Sequence, residues 1–259
     1  MADPFFLMKG QGPMDLKGHR ALITGAGQGI GEACAHVFAS RGAGLILLDR
    51  NPETLDQVKK RLAGTGVKVQ IRIVDLTDIL LLKEVVQELL EMGTIDILVN
   101  NAGFDRPGTS SRIDEKKFME VMGIHLVSPF TLIRMLLPGM RATGWGRIIN
   151  ISSIYGLTGA KGELAYSTAK AGVIGLTKSM AKEAGQNGVT VNAVLPGLIR
   201  TPTIENVMSD QYKQPIIRDT PLGRIGEPEE VARVIAFLAS DEASFVTGVA
   251  LPVSGGWGI

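Results

Sequence analysis

What this chain has little of narrows the field before any motif is read. Its 259 residues hold one cysteine, Cys34, so no internal disulfide can form, which suits a reducing compartment. Cys34 lies in an Ala-rich helical stretch and reads as packing, not chemistry. Net charge is almost absent, 27 basic against 26 acidic residues leaving +1. That offers no basic field to nucleic acid or to an anionic membrane, and neither is expected as a partner. No uninterrupted apolar run approaches the roughly 20 residues of a membrane span. His, Cys and carboxylate spacings of a metal site are missing too, so no metal is expected. The start, Met1 to Met14, contains Phe5-Phe6-Leu7-Met8 but lacks the basic lead and long apolar core of a secretion signal. Residues 1–15 are expected to form a flexible arm, and the protein to be cytoplasmic.

What is present is globular material, 45% hydrophobic and 20% charged, enough for one large domain over residues 16–259. Short apolar strands alternate with helical patterns from end to end. Strands are expected at 20–24, 44–48, 67–74, 95–99, 147–152, 189–195 and about 247–253. Helices are expected at about 30–40, 52–63, 78–92, 114–140 with a bend at Pro129, from Tyr166 to about 186, and from near Pro228. That alternation is the pattern of a single doubly wound α/β domain, Rossmann-type, with a parallel sheet flanked by helices. No linker or internal repeat argues for a second domain.

Polar and glycine-rich motifs fall where strands end. Gly25-Ala-Gly-Gln-Gly-Ile-Gly31 follows the first strand and opens a helix, the unit that cradles phosphates in dinucleotide-binding folds. Its spacing is T-G-x-x-x-G-x-G, with Ile30 where the strict G-x-G-x-x-G pattern has its last glycine. Asp49 ends the second strand, placed to accept from adenosine ribose hydroxyls. Asp75 ends the third, and Asn100-Asn-Ala-Gly103 follows the fourth, where small residues admit a ligand and Asn can tie strand ends. Ser153 closes the run Arg147-Ile-Ile-Asn-Ile-Ser, and Gly156 is expected to turn the chain. Tyr166 and Lys170 are four apart, on one helical face. Ser153 facing that pair could grip a carbonyl oxygen; a lone Y-x-x-x-K equally describes a buried Tyr with a snorkelling Lys. Pro196-Gly197 breaks the sixth strand at its carboxyl end. Residues 201–222 are polar, with apolar Ile204, Val207, Met208, Ile216 and Ile217, and interrupt the alternation where a lid would sit. All these motifs share the carboxyl edge of the sheet, where such folds bind ligands, and that decides for the functional reading.

With these residues in hand, the chain resembles the short-chain dehydrogenase/reductase family over about residues 16–257. Thr24–Gly31, Asp75-Leu76, Asn100–Gly103, Ser153, Tyr166-x-x-x-Lys170 and Pro196-Gly-Leu-Ile-Arg-Thr201 carry the resemblance. Pro221-Leu-Gly-Arg-Ile-Gly-Glu-Pro228, Phe245-Val-Thr-Gly248 and Gly255-Gly256 point to its 3-oxoacyl reductase-like subgroup. The resemblance implies hydride transfer between NAD(H) and a carbonyl or secondary alcohol. Tyr166 would be the acid or base, with its pKa drawn down from near 10 by Lys170. Ser153 would hold the substrate oxygen. Cofactor contacts would come from Gly25, Gln28, Gly29, Ile30, Asp49, Asp75, Leu76, Asn101, Ala102, Gly103, Tyr166, Lys170, Pro196, Gly197, Ile199 and Thr201. NAD is expected ahead of NADP, because Asp49 would repel a 2′-phosphate; Arg50 is the complication. His125 stands in Ile124-His125-Leu126 where the family has an Asn that holds a water next to the active-site Lys. It could hold that water, shuttle protons itself, or pack in the helix with no direct role. The expected substrate is a 3-oxoacyl thioester, CoA ahead of carrier protein, since Gly144 and Asn187 stand uncharged where carrier-binding relatives place arginines. Alternatives are a small cyclic or polyol alcohol and a non-catalytic NAD-binding sensor or scaffold. A homotetramer is expected, with Leu132, Met135 and Leu136 available for contacts.

Overall fold

Along each central strand, neighbouring apolar residues go to opposite faces of a sheet, and this splits the core in two. Ala21, Ile23, Leu45, Leu47, Ile97, Val99, Ile149 and Ile151 join one buried cluster; Leu22, Ile46, Leu48, Leu98 and Ile148 join the other. The strands are β1 (Arg20–Thr24), β2 (Gly44–Asp49), β3 (Val69–Ile73), β4 (Ile97–Asn100), β5 (Gly146–Ile151), β6 (Val189–Pro196) and β7 (Ala250–Val253). All pair in parallel, in the order β3-β2-β1-β4-β5-β6-β7. The order reverses between β1 and β4, which opens a crevice at their carboxyl ends. This computed structural model describes residues 14–259. The expected arm therefore lies, but for its last two residues, outside the described residues.

Helices cover both faces. α1 (Gly29–Ser40) and α10 (Pro228–Leu238) pack on the first cluster with α2 (Pro52–Arg61). On the second lie α3 (Ile79–Glu91), α5 (Ser128–Thr143) and α7 (Leu164–Ala184). Their ends follow from local chemistry. Asn51 accepts from the N–H groups of Glu53 and Thr54 and Pro52 fills the first turn of α2, while Glu227 and Glu230 form a capping box on α10.

Several expectations need correction. The helix expected over 114–140 is not one continuous α-helix. α4 (Glu115–Met122) runs into a π-helical turn, Gly123–Val127, before α5. Ser128 Oγ donates to Leu76 O at 2.6 Å and to Gly123 O at 3.0 Å, holding the extra residue there. Together, Glu115–Thr143 make a 29-residue helical run whose best window has mean hydropathy 1.5, long and apolar enough for a membrane span. Charged and polar residues interrupt it, and 56% of that window is buried within the protein, as in a core helix. Gly156 does not turn the chain. It lies in a short helix, α6 (Tyr155–Thr158), and a Cβ there would sit 2.8 Å from the Lys170 carbonyl carbon, so glycine lets α6 lie against α7. Leu132 and Leu136 are fully in the core, leaving Met119, Val127 and Phe130 exposed on that helical run instead.

Candidate active site

The crevice between β1 and β4 is laced by its own polar groups. Thr24 Oγ1 donates to Val99 O and accepts the N–H groups of Asn101 and Ala102, both at 3.0 Å. Asn101 Nδ2 donates to Thr24 O at 2.9 Å and Gly25 O at 3.1 Å. Gly25 holds φ +63°, and a Cβ on it would lie 2.8 Å from Ala102 Cα. A Cβ on Gly31 would collide with the Gly25 carbonyl oxygen. Gln28 caps α1 without a side-chain bond to its first turn, which leaves those N–H groups to an anion. A dinucleotide pyrophosphate fits this cradle, whose glycines are forced by close approach. Asp49 Oδ2 accepts from Gly27 N at 2.9 Å and Oδ1 from Asn51 N at 3.0 Å, fixing the carboxylate beside the loop.

A second ladder runs from β4 to α7. Asn100 Nδ2 donates to Asn150 Oδ1 at 2.8 Å, and Asn150 Nδ2 to Thr177 Oγ1 at 3.0 Å. Ser152 Oγ donates to Lys170 O at 2.7 Å. These bonds set the rotation of α7 against β5, and so the place of Tyr166 and Lys170. Lys170 is 3% exposed. Its Nζ donates to Ile151 O at 2.7 Å and stands 5.4 Å from the Tyr166 ring centre. Burial alone lowers its pKa to about 7. Burial also raises the Tyr166 phenol above its ordinary value, against a lowering hydrogen bond with Ser153; Asp105, Glu163 and Tyr155 push it further up. The expected lowering by Lys170 is therefore not what sets the phenol in this state: desolvation, opposed by Ser153, holds it above its ordinary value. Ser153 Oγ accepts from Tyr155 N at 3.2 Å, leaving its hydrogen free to donate.

His125 sits in the π-turn with its ring edge-on to Tyr166, centroids 5.4 Å apart. Its Nε2 lies 2.9 Å from Phe104 O, so that nitrogen carries the hydrogen. Burial, then the Lys170 charge, holds its pKa well below the ordinary imidazole value. A Cβ on Gly103 would collide with this ring, which explains the glycine.

The remaining expected residues spread along the same edge. Asp75 is exposed; its Oδ1 accepts from Thr77 N and Oγ1, which lowers its pKa, while Leu76 is buried. Gly197 passes so close to Ser254 that a Cβ would lie 2.8 Å from its Cα. Pro196 O accepts from Ile154 N. Ile199 is buried and bridges to Gly226. Thr201 packs on Gly29 and caps α8 (Pro202–Val207), which with α9 (Asp210–Arg218) makes up the segment where a lid is expected. The side chain of Val207 lies outside the described residues. Asp105, Glu163, Tyr155 and Trp257 were missed by sequence reasoning. Tyr155 and Glu163, both inside the Ser153–Lys170 stretch, had a positional signal; Asp105 and Trp257 had none. Among the described residues, no three His, Cys, Asp or Glu side chains converge as metal ligands.

The chain is similar to known proteins in sequence and in fold. A family model described as enoyl-(acyl carrier protein) reductase matches residues 25–258. The 3-oxoacyl-[acyl-carrier-protein] reductase of Thermotoga maritima is 42% identical over 244 residues, 94% of this chain and 99% of that protein. A solved structure described as an NAD(P)-dependent gluconate 5-dehydrogenase from Beutenbergia cavernae, with NADP bound, superposes with a TM-score of 0.91 at 36% identity, covering 95% of this chain and 99% of that one. Levodione reductase superposes with a TM-score of 0.89 at 34% identity, covering 93% and 97%. The chain belongs to the short-chain dehydrogenase/reductase family, as an oxidoreductase of its 3-oxoacyl reductase-like subgroup that works with a nicotinamide dinucleotide.

Proposed function

We propose that this enzyme reduces the ketone of 3-oxoacyl thioesters, CoA esters ahead of carrier-protein esters, with NAD(H) preferred. The observation that carries the reading is the convergence of Ser153, Tyr166 and Lys170 at the sheet edge that also bears the glycine cradle. The nicotinamide, when bound, supplies the hydride. Gly25, Gln28, Gly29 and Ile30 hold the pyrophosphate, Asp49 the adenosine ribose, and Ile199 and Thr201 the carboxamide and phosphate end. Asp75 and Leu76 border the adenine side; Asn101, Ala102, Gly103, Pro196 and Gly197 wall the crevice. Ser153 and Tyr166 donate to the substrate carbonyl, and Tyr166 gives the proton. The phenol holds its proton at neutral pH, as reduction requires, but burial makes it a weaker acid, and the charge of Lys170 beside it would draw its pKa back toward the working range. Lys170, poised at about 7, holds the ribose and replenishes charge beside the phenol. His125, neutral at Phe104 O, positions Tyr166 by packing.

The NAD preference rests on Asp49, whose carboxylate is anchored at the cradle and repels a 2′-phosphate. The CoA preference rests on Gly144 and Asn187, neutral residues in turns at the amino ends of β5 and β6, the edge opposite Ser153. The exposed Met119, Val127 and Phe130 support a homotetramer, and one buried cysteine suits the cytoplasm. A second reading, reduction of ring ketones or polyol oxidation, is favoured by the likeness to levodione reductase and the gluconate dehydrogenase.

Tyr166→Phe tests the chemistry: kcat should fall at least about 100-fold while dinucleotide affinity survives. Retention of more than about a tenth of kcat removes Tyr166 from the role. Comparing kcat/KM for acetoacetyl-CoA, its carrier-protein counterpart, cyclic diketones and polyols, with NADH and NADPH, ranks the substrates. A polyol or ring ketone winning replaces the thioester reading.

A further inference from the structure

Residues 254–259 follow β7 and cross three pieces of the catalytic edge in turn. Ser254 lies against Gly197, whose N–H donates to Val253 O at 3.1 Å. Gly255 and Gly256 lie against Thr220 and Pro221, at the end of the 201–222 segment; a Cβ on either would come within 2.9 Å and 2.7 Å of those side chains. Trp257 and Gly258 then reach α6, the short helix that follows Ser153. A Cβ on Gly258, at φ +75°, would collide with Ile154 Cγ2 and lie 3.7 Å from Thr158 Cγ2. The Trp257 ring meets Tyr155 edge-on, centroids 5.4 Å apart, and packs against the buried cluster of Ile154, Ile174, Ala193 and Leu195. Rings in that arrangement attract beyond the area they bury.

This contact falls where the site has least support of its own. α7 is 21 residues long, and Ser152 Oγ on Lys170 O and Asn150 Nδ2 on Thr177 Oγ1 tie it to β5. α6 has four residues and no side-chain cap. Ser153 stands just before it, and the backbone bond to the Ser153 Oγ comes from Tyr155 N at 3.2 Å. Ile154 N is anchored on Pro196 O at 3.2 Å, and the Ile154 side chain is fully buried in the cluster that Trp257 packs against. Ile154 and Tyr155, the two residues that Trp257 touches, are thus the two that carry Ser153. A group that must meet a substrate oxygen within hydrogen-bond reach loses about 100-fold for a displacement of about 1 Å.

We infer that Trp257 is a positioning residue for Ser153: seated on Ile154 and Tyr155, it fixes α6 and, through α6, the hydroxyl that grips the ketone. The inference rests on the reading of Ser153 as the group that holds the substrate oxygen, and adds the residue that holds Ser153. Tyr166 and Lys170 stand on α7, whose bonds to β5 do not involve Trp257. Its removal therefore disturbs one of the three catalytic side chains and spares the other two.

The test compares Trp257→Ala, Trp257→Phe, Ser153→Ala and the double variant of Trp257→Ala with Ser153→Ala, as activity per folded molecule. Acetoacetyl-CoA and a cyclic diketone are each run with NADH and NADPH, so the outcome does not depend on which is preferred. Trp257→Ala should lower kcat by about 10- to 100-fold, because Ser153 donates to an oxygen that gains charge in the transition state. The KM for the ketone and the dinucleotide affinity should change less than about threefold. Trp257→Phe, which keeps a ring edge-on to Tyr155, should recover kcat to within about threefold. In the Ser153→Ala background, Trp257→Ala should cost less than about threefold more, since the group it positions is gone. Should Trp257→Ala not fold, Gly258→Ala takes its place: the position is exposed, and the added Cβ pushes the segment off Ile154 without emptying the core. A kcat kept by the alanine variant, a loss not recovered by phenylalanine, or one that multiplies in full with that of Ser153→Ala overturns the inference and leaves the Ser153 reading standing. Ser153→Ala that keeps more than about a tenth of wild-type kcat overturns the reading and the inference together.

Discussion

Strand β5 has a buried cation at each end, and the two are treated in opposite ways. Arg147, at the amino end, and Lys170, against the carboxyl end, are each 3% exposed. Arg147 is given every partner its guanidinium can use. It donates to Gly146 O, Gly188 O, Ser240 O and, at 3.0 Å, Asp241 Oδ1, and it lies 4.3 Å over the Trp145 ring. His19 stacks on the other aromatic surface there, centroids 3.8 Å apart. Lys170 has one carbonyl oxygen and no carboxylate. Burial lowers both pKa values, but Asp241 works against the shift at Arg147 and nothing does so at Lys170. The lesson is about use: a buried charge meant to stay is paired, and one meant to change is left short of partners.

The largest effect expected from breaking this contrast is at the paired end. Arg147→Ala leaves three carbonyls without their donor and removes a buried stem, while half-exposed Asp241 keeps Trp145 Nε1, so unfolding free energy should drop by about 2–4 kcal/mol. The folded fraction should retain its kcat/KM, since the active site lies at the opposite sheet edge. Urea unfolding with activity per folded molecule reads both, and a large loss of kcat/KM in folded protein would mean the two ends are coupled.

At the unpaired end the sign reverses and depends on pH. Unfolded Lys170 titrates near 10.4, whereas the folded side chain titrates at about 7. Between these values the unfolded chain binds the extra proton, so this group makes stability rise with pH. Its cost is fully present below about 7 and relieved as pH nears 10. Lys170→Met should abolish turnover. Relative to wild type it should also be more favourable to stability at pH 6 than at pH 10, by roughly 1–4 kcal/mol. A stability difference that stays flat with pH would show that Lys170 is not a penalised charge.

The same contrast marks how far the sequence could be read. The short continuous apolar runs Leu45-Ile46-Leu47-Leu48 and Ile97-Leu98-Val99 are a local property, so the strands were legible, as were the motifs at strand ends, whereas the split of each strand between two faces showed only in the fold. The π-turn was not, because the bonds from Ser128 Oγ to Leu76 O and Gly123 O depend on a contact with the loop after β3. Leu132 and Leu136 looked available because a helical pattern shows amphipathicity without saying which neighbours cover it. Tyr155 and Trp257 lie in separate segments and meet only when β7 has paired with β6. Pairing of buried charge is tertiary information: Arg147 and Lys170 look alike in the sequence until Asp241 is placed.

The smallest effect sharpens the comparison at a third buried base. His125 is 3% exposed and has neither a carboxylate like Arg147 nor a charge to keep. With Nε2–H donated to Phe104 O and a strongly lowered pKa, it holds no second proton at neutral pH and cannot hand one to Lys170. His125→Asn keeps an amide donor but leaves space above Gly103 and removes the edge contact with Tyr166. At about pH 7.5 the variant should be less stable by about 1 kcal/mol, the worth of such an aromatic contact, with kcat changed less than about threefold. As pH falls below the ordinary imidazole value near 6.5, unfolded His125 gains a proton that folded His125 refuses, so wild-type stability declines and the variant is spared that loss. The two unfolding curves should therefore meet near about pH 5.8 and cross below it. A kcat loss beyond about tenfold, with the acid limb of the activity profile displaced, would instead make His125 a working proton carrier and place it with Lys170 among the charges built to change.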